Sequence, residues 1–382
     1  MRQIRSWAPL ALVSALLLAA CGGGGSDTST RVQITSVKVM GDSLADSGTF
    51  GFKFTVQGSQ SFIYPERVAS NFGVGTLCPF YVYNGTTFTT NTSCTNYAIG
   101  GGRINNYTAP TSPVSIVQQL VNAAAVNGSY SASDLLIVDG GGNDGADLVG
   151  AYLKASSDSG ASYAALLQTV LPTATVQAAL AQGAAGFASI GGTYMTALAD
   201  NFYAAIKTNA LDKGAQHVVV LNMPGITNTP RFQMVLDSIA AASGGGTAGA
   251  TARANAEALF KSWFVAFNNE LAVKFNGNSN VVLIDFYTSF NDQIANPAQY
   301  SLTNVTTPAC PQTGTGSDGL PTYTFATCTD TALSAMTPPA GSDGTANWWK
   351  SYAFSDSFHP TPFGHDLLGR RILKSLADAG WL

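Results

Sequence analysis

The chain is predicted to fold as one α/β domain with three layers (α/β/α), in which helices cover both faces of a mostly parallel sheet of about five strands. Short continuous apolar runs have the pattern of strands that are buried on both faces. Helix-like segments separate these runs, and such alternation is typical of a parallel sheet. A chain of 382 residues is long enough for two domains. However, polar motifs from both ends of the chain belong together, so we expect one sheet built from both ends.

The predicted elements follow one another along residues 34–382, which we interpret as the domain. The strand-like runs are Val37–Met40, Leu135–Val138, Val218–Leu221 and Val281–Ile284. The helix-like segments are Ile116–Ala125, Tyr194–Ala210, Arg253–Phe275 and Phe363–Ala379. Three long stretches are interpreted as insertions, at residues 74–95, 151–192 and 298–350. The second is rich in Ala, Ser and Gly and is predicted to be partly helical.

The first twenty residues are predicted to be a secretory signal peptide. Arg2 and Arg5 precede a short apolar stretch, which is too short to span a membrane and is followed by Gly and Ser. Leu18-Ala19-Ala20-Cys21 resembles the bacterial lipobox, in which the cysteine is lipidated and becomes the new N-terminus. The alternative is an ordinary signal peptide with an incidental Cys21. Residues 21–33 would be a flexible tether, and the protein would be a membrane-anchored lipoprotein in the periplasm, on the outer membrane or at the cell surface.

The charge of the chain argues against nucleic acid as a partner. Loss of the signal peptide changes the formal net charge from -4 to -6, because it removes two arginines and no acidic residue. No run of Lys or Arg follows. Charged residues make up only 10% of the chain, against about 25% in a typical soluble domain. This composition leans slightly towards a lipid or another acyl substrate, with the membrane contacted through Cys21.

Four cysteines remain after Cys21, and an even number in an exported chain favours two disulfides. Of the three pairings, the local pairs Cys78–Cys94 and Cys310–Cys328 are favoured. Each would close a loop of fewer than about twenty residues, worth about 3 kcal/mol on the chain-entropy model. A zinc site is the alternative, but no Cys-x-x-Cys spacing or histidine partner supports it.

The first cysteine pair encloses a predicted β-hairpin. Asn84-Gly85 is typical of a two-residue hairpin turn between apolar and aromatic residues. A strict two-residue turn would place Cys78 opposite Asn91 rather than Cys94. The favoured disulfide therefore requires a bulge or a loosely paired base.

Four short polar blocks contain the groups that acyl transfer needs. A serine hydroxyl is a weak nucleophile until a neighbouring base takes its proton, and the chain has only three histidines to serve as that base. The first and third blocks come directly after strand-like runs. The blocks are Gly41-Asp42-Ser43-Leu44-Ala45-Asp46-Ser47-Gly48, Asn96-Tyr97-Ala98-Ile99-Gly100-Gly101-Gly102, Gly141-Gly142-Asn143-Asp144 and Asp356-Ser357-Phe358-His359-Pro360-Thr361.

In these blocks, and in their order, the chain resembles the SGNH/GDSL esterase and lipase family, as a bacterial lipoprotein member of it. The resemblance runs from about residue 36 to the C-terminus and implies a flavodoxin-like fold of the kind predicted above. It also implies that Ser43 is the nucleophile, that His359 is its general base, and that Asp356 orients the imidazole. The G-x-S-x-G motif of the α/β-hydrolases, the chief rival serine-hydrolase fold, is absent from the chain.

The resemblance further implies an oxyanion hole of three donors. These are the backbone N–H of Ser43, the backbone N–H of Gly101 and the side-chain amide of Asn143. The family places its glycine five residues after the asparagine of the second block, which selects Gly101 from the three consecutive glycines.

Each block also has a structural interpretation. Asp42 and Ser43 would suit a helix N-cap, the glycines a tight turn, and Asn143 and Asp356 capping positions. Outside the implied site, a turn or cap role is expected for Asp46 and Asp144, a structural role for His217 and His365, and a solvated surface position for Arg103.

The function predicted from the sequence is hydrolysis of carboxylic esters, by a lipase, an esterase or a (lyso)phospholipase. Two alternatives remain open: an acetyl esterase acting on glycans, and a non-catalytic lipoprotein that binds envelope polymer. No metal or organic cofactor is expected, because the sequence contains no ligand cluster or phosphate-binding loop. The expected partners are a small-molecule or lipid ester and the membrane.

Overall fold

The computed structural model describes residues 32–382. The predicted signal peptide, the predicted lipidation site and most of the predicted tether lie outside the described residues. The strands are β1 (Ser36–Met40), β2 (Tyr81–Tyr83), β3 (Phe88–Thr90), β4 (Asp134–Val138), β5 (His217–Leu221), β6 (Val281–Ile284), β7 (Gly314–Thr315) and β8 (Pro321–Thr322).

Helices surround these strands. The α-helices are α1 (Tyr64–Asn71), α2 (Ile116–Asn127), α3 (Gly142–Asp158), α4 (Ala161–Leu167), α5 (Thr173–Leu180), α6 (Ala184–Asn209), α7 (Pro230–Ala242), α8 (Gly246–Phe275), α9 (Phe286–Ala295), α10 (Asp330–Ser334) and α11 (Pro362–Asp378). Short 3₁₀-helices lie at Leu211–Lys213, Ile226–Asn228, Pro297–Tyr300 and Trp348–Ser351.

The central sheet has the spatial order β1-β4-β5-β6, and all its strands are parallel. These are the four predicted strand runs, so the sheet has four strands rather than about five. Beyond β1, the segment at Asn96 pairs with Val39 through a single parallel bridge, and the N–H of Tyr97 donates to the carbonyl of Val39 (2.7 Å). This segment then turns at three consecutive glycines, which prevents it from extending into a strand.

Side chains that alternate along the strands build two hydrophobic cores, one on each face of the sheet. In β4, Leu136 and Val138 face one core, while Leu135 and Ile137 face the other. Residues of α2, α3, α6 and α8 complete the first core, and residues of α1 and α11 complete the second. The predicted three-layer α/β/α class is therefore confirmed.

Two helices begin earlier than predicted. α6 starts at Ala184 rather than Tyr194, and α8 starts at Gly246 rather than Arg253. The first turns of α8 are rich in Ala, Gly and Thr and lack an apolar period, but alanine has the highest helix propensity. In α6, Phe187 and Ile190 extend the apolar period of Tyr194 towards the N-terminus, and Ile190 is buried. The predicted bounds of the second insertion, 151 and 192, consequently fall inside α3 and α6.

The favoured disulfide pairs, Cys78–Cys94 and Cys310–Cys328, are both present. The hairpin of β2 and β3 pairs Tyr83 with Phe88, so its loop has four residues and not the predicted two. This shift moves the position opposite Cys78 close to Cys94, and the two Cα atoms lie 5.2 Å apart. The side chain of Asn84 stabilises the wider loop by accepting hydrogen bonds from the N–H groups of Thr86 and Thr87.

The third insertion has a small core of its own. Trp348, Trp349 and Phe325 are buried there beside the disulfide Cys310–Cys328. Within residues 32–382, no helix is long and apolar enough to cross a membrane.

Candidate active site

Ser43 lies just beyond the carboxyl end of β1, in a turn that requires glycine at position 41. A Cβ atom at Gly41 would lie 1.7 Å from Oδ1 of Asp139, so any larger residue would displace that carboxyl group. The N–H of Gly41 donates to Oε1 of Gln119 (2.8 Å). The glycine thus lets β1 approach the end of β4 closely, and this contact positions the serine that follows.

The structure brings Ser43, His359 and Asp356 together. Nε2 of His359 lies 2.7 Å from Oγ of Ser43, and its Nδ1 lies 2.9 Å from Oδ2 of Asp356. Ser43 and Asp356 are buried, and His359 is half-buried. This chain of contacts has the geometry that proton transfer from a serine to an imidazole requires.

A short closed loop holds the imidazole in place. Phe354 and Pro360 form an antiparallel bridge, and the N–H of Ser355 donates to the carbonyl of His359 (2.8 Å). Directly after the loop, Thr361 caps α11 by accepting a hydrogen bond from the N–H of Gly364 (3.2 Å). A capped helix start therefore fixes one end of the loop that carries His359.

Asp356 is surrounded by donors. Its Oδ1 accepts the backbone N–H groups of Phe358 (2.8 Å) and His359 (2.5 Å). Burial alone would raise the pKa of this carboxyl, but the imidazole of His359 and the two N–H groups lower the pKa below its usual value. Asp356 is therefore ionised at neutral pH, and its charge favours a proton on Nδ1 of His359.

The glycine block folds against the serine turn. A Cβ at Gly102 would lie 2.7 Å from the carbonyl oxygen of Gly41, and Nδ2 of Asn143, in the first turn of α3, donates to the carbonyl of Gly102 (3.0 Å). All four sequence blocks therefore meet at the carboxyl ends of β1 and β4.

The three glycines differ in what their N–H groups contact. Gly100 donates to Oδ2 of Asp46 (2.8 Å), and Gly102 donates to the carbonyl of Ile99 (2.9 Å). Gly101 has a left-handed φ of 79°, and its N–H makes no hydrogen bond with the described residues; the same is true of the N–H of Ser43. The predicted donors Gly101 and Ser43 are thus free to bind an oxyanion.

Two residues near the site brace its backbone. Asp46 also accepts the N–H groups of Gly48 and Thr49, in the turn role expected for it. Asp144 accepts those of Ile104 and Asn105, and it therefore joins that loop to α3 rather than taking the expected turn or cap role. Burial raises the pKa of Asp144 to about 6.

Arg103 was predicted to be a solvated surface residue, and the structure corrects this prediction. Its guanidinium donates to the carbonyl of Gly101 (2.7 Å) and to both carboxylate oxygens of Asp147. In the sequence, only the position of Arg103 directly after the glycine block indicates these contacts.

Two carboxyl groups whose contact the sequence did not predict, those of Asp42 and Asp139, lie close to Ser43. Oδ1 of Asp139 accepts the N–H of Asp42 (3.0 Å), and its Oδ2 accepts the hydroxyl of Tyr64 (2.8 Å). Burial, together with the repulsion between the two carboxyl groups, raises the pKa of Asp42; burial also raises that of Asp139. Asp42 comes just after β1, and Asp139 comes directly after β4. Because β1 and β4 are adjacent and parallel, these two positions in the sequence were the available indication that the carboxyl groups meet.

A cavity of about 60 Å³ adjoins the site. Ser43 and His359 border it together with many apolar side chains of the β5–α7 loop, α9 and the loop before α11. Trp348, Trp349 and Tyr81 do not line it, because they are buried in other parts of the molecule.

The other two histidines lie away from Ser43. His365 is fully buried beside Tyr64, and burial, followed by the charge of Arg67, lowers its pKa well below the usual value. His217 packs against Trp381, with ring centroids 4.8 Å apart. Among residues 32–382, no group of three or more His, Cys, Asp and Glu side chains is arranged to hold a metal ion.

Comparison with known proteins identifies the family. A sequence model of the family described as GDSL-like Lipase/Acylhydrolase matches residues 37–372, a span that contains all four blocks and all of the central sheet except its first residue, Ser36. No curated protein matches the chain. Since the family model covers most of its length, the chain belongs to the GDSL-like lipase/acylhydrolase family of ester hydrolases.

Proposed function

We propose that this protein is an exported, lipid-anchored carboxylic ester hydrolase that acts through Ser43, His359 and Asp356. The observation that carries the proposal is the unbroken chain of contacts from Oγ of Ser43 through the imidazole to an ionised Asp356, at 2.7 and 2.9 Å. Family membership supports the reaction class, and the site supports the assignment of residues.

In the acylation step, Oγ of Ser43 attacks the ester carbonyl carbon while Nε2 of His359 takes the hydroxyl proton. The carbonyl π electrons move to oxygen, and a tetrahedral intermediate forms. Asp356 stabilises the imidazolium and keeps the other ring proton on Nδ1. His359 then donates its proton to the departing alcohol oxygen, which leaves an acyl group on Ser43.

The oxyanion of this intermediate would be bound by the free N–H groups of Gly101 and Ser43 and by the amide of Asn143. One hydrogen of Nδ2 of Asn143 is already donated to the carbonyl of Gly102. This hydrogen bond fixes the orientation of the amide and leaves the second hydrogen of Nδ2 for the oxyanion. Loss of one such donor typically costs about 10²–10³ in rate.

Deacylation repeats the same steps with water as the nucleophile. His359 takes a proton from water, the hydroxide adds to the acyl carbon, and collapse of the second tetrahedral intermediate expels Oγ of Ser43, which recovers its proton from His359. The carboxylic acid is released, and the enzyme returns to its starting state without a cofactor.

The proposed location depends on the N-terminal sequence. The lipobox-like segment ending at Cys21, the short apolar stretch before it and the two disulfides support an exported, anchored protein. If Cys21→Ala leaves the protein acylated and bound to membranes, the anchor proposal is wrong.

The proposed nucleophile is tested with the variant Ser43→Ala. We expect kcat on p-nitrophenyl butyrate to fall by roughly 10⁴–10⁶ and labelling by a fluorophosphonate probe to disappear, since an unactivated serine does not react. The control is Ser47→Ala, which changes a second serine of the same block. Undiminished hydrolysis by Ser43→Ala would overturn the assignment. Absence of both hydrolysis and labelling in the wild type would instead favour a non-catalytic envelope-binding protein.

A further inference from the structure

The cavity beside Ser43 runs beneath the loop that carries His359. It crosses the carboxyl ends of β5 and β6, where Leu221 and Phe286 border it. Its lining contains Ser43 and His359, and it also contains residues of α9 and of the segment after it. Away from Ser43 the lining is almost entirely apolar, and it includes Leu221, Ile226, Phe290, Ile294, Leu302 and Phe354.

We propose that this cavity binds the acyl chain of the ester and that the natural substrates are therefore esters of straight-chain fatty acids rather than acetyl esters. The proposal rests on the proposed role of Ser43, because the acyl carbon must lie at Oγ of that residue. From there, the chain would extend under Phe354 towards Ile294 and Leu302.

Apart from Gln293, the polar side chains that border the cavity already make hydrogen bonds within the protein. Asn222 donates to Oδ1 of Asp285 (3.1 Å) and accepts the N–H of Tyr287 (2.8 Å). The hydroxyl of Thr229 donates to the carbonyl of Ile226 (2.7 Å). A sugar ring in this space would lose its hydrogen bonds to water and find few new ones, whereas each methylene of an alkyl chain would gain about fourfold in binding.

Gln293, in α9, is a polar residue in the lining of the cavity. This side chain is more than nine-tenths buried, borders both the cavity and a groove on the surface between α9 and α11, and makes no hydrogen bond with the described residues. A polar amide there ends the apolar lining, so we infer that the methyl end of the chain stops near Gln293. The enzyme should consequently prefer chains of intermediate length.

A second apolar surface competes for the same role. We call it the aromatic rim, and it consists of Phe50, Phe52, Phe54 and Phe325. The rings of Phe54 and Phe325 lie 5.2 and 5.5 Å from the ring of His359, but none of the four residues lines the cavity. The two surfaces can therefore be changed separately.

The experiment compares kcat/KM for p-nitrophenyl acetate, butyrate, octanoate and palmitate. We expect the wild type to prefer octanoate to acetate by tenfold or more. Ile294→Trp fills the far end of the cavity and should lower the octanoate-to-acetate ratio about tenfold. Leu302→Ala enlarges the cavity and should raise the ratio of palmitate to octanoate. Val273→Trp, a matched change at a side chain that is 69% exposed, should alter neither ratio.

The outcomes separate the cavity from the proposed reaction. One outcome is that Ile294→Trp and Leu302→Ala both leave the ratios unchanged while Phe52→Ala lowers the octanoate-to-acetate ratio. The acyl chain then binds the aromatic rim. In that case the cavity proposal is wrong, but the proposed ester hydrolysis is unaffected. A wild type that prefers acetate also overturns the cavity proposal. Absence of hydrolysis and of Ser43-dependent labelling in the wild type overturns both proposals. Should Ile294→Trp fail to fold, Leu302→Ala decides the question alone.

Discussion

Two regions of the site each hold a buried carboxyl group, and the pKa values of the two groups are shifted in opposite directions. In the loop before α11, burial alone would raise the pKa of Asp356. The imidazole of His359 and two backbone N–H groups outweigh burial and lower this pKa. At the ends of β1 and β4, the pKa of Asp42 is raised by burial and by Asp139, and the N–H of Leu44 and the imidazole of His359 oppose this shift only in part. The donors and charges around a buried acid, and not burial alone, decide its charge.

The comparison also assigns different tasks to the two regions. An ionised Asp356 can stabilise an imidazolium, whereas a neutral Asp42 can lie against a second carboxyl group without strong repulsion. In the proposed reaction the loop therefore supplies charge, and the ends of β1 and β4 hold the turn that carries Ser43. Four predictions test this division, from the largest expected effect to the smallest.

The largest effect is expected from removing the negative charge in the loop. Asp356→Asn keeps the size of the side chain but favours the wrong tautomer of His359, so kcat on p-nitrophenyl butyrate should fall about 10⁴-fold. The control is Asp144→Asn, a change at another buried acid close to the site, which should retain most of the activity. A loss of less than tenfold for Asp356→Asn would mean that Asp356 is not the orienting acid.

A change at the strand ends should act on stability first. Asp139→Leu leaves the hydroxyl of Tyr64 and the N–H of Asp42 buried without an acceptor, which should lower the free energy of unfolding by about 2–3 kcal/mol at pH 5. Tyr64→Phe removes one of these bonds without leaving an unpaired donor and should cost about 1 kcal/mol. Urea denaturation measures both. Equal stabilities of Asp139→Leu and the wild type would contradict the supporting role.

The two regions should also respond to pH with opposite signs. The folded-state pKa of Asp42 is raised, so as pH rises the unfolded chain loses this proton before the folded protein does. The contribution of Asp42 to stability therefore falls as pH rises above the usual aspartate pKa, near 4. The folded-state pKa of Asp356 is lowered, so its contribution is present above that range and is lost as the solution is acidified.

Thermal denaturation between pH 3 and 9 checks these signs. Relative to the wild type, Asp42→Asn should be less sensitive to rising pH, and Asp356→Asn should be less sensitive to acid. Parallel curves for the wild type and both variants would show that neither carboxyl has a shifted pKa.

The smallest effect is expected at Asp144, which is intermediate between the two cases. Its carboxylate accepts two backbone N–H groups, as Asp356 does, but burial still raises its pKa to about 6. Asp144→Asn keeps one acceptor oxygen and should lower the free energy of unfolding by about 1 kcal/mol at pH 8, as measured in urea. A loss as large as that of Asp139→Leu would show that both carboxylate oxygens are needed to hold the N–H groups of Ile104 and Asn105.

The strands and the meeting of the four polar blocks could be predicted from the sequence because their signals are local. Continuous apolar runs mark the buried strands, and Ser43, Asn143 and His359 lie in short blocks whose order identifies the family. Local composition failed at the start of α8, where alanines and glycines show no apolar period, and in the turn at Asn84, where side-chain hydrogen bonds select a wider loop.

The sequence by itself determined which chemical groups are available: a serine, a histidine, an acid and a glycine turn, at the ends of strands. Only the tertiary structure decided which acid carries a charge, which glycine N–H stays free and where an apolar chain would fit. These properties depend on neighbours that are distant along the chain. Asp42 and Asp139 are 97 positions apart, and their contact exists only because β1 and β4 pair in register.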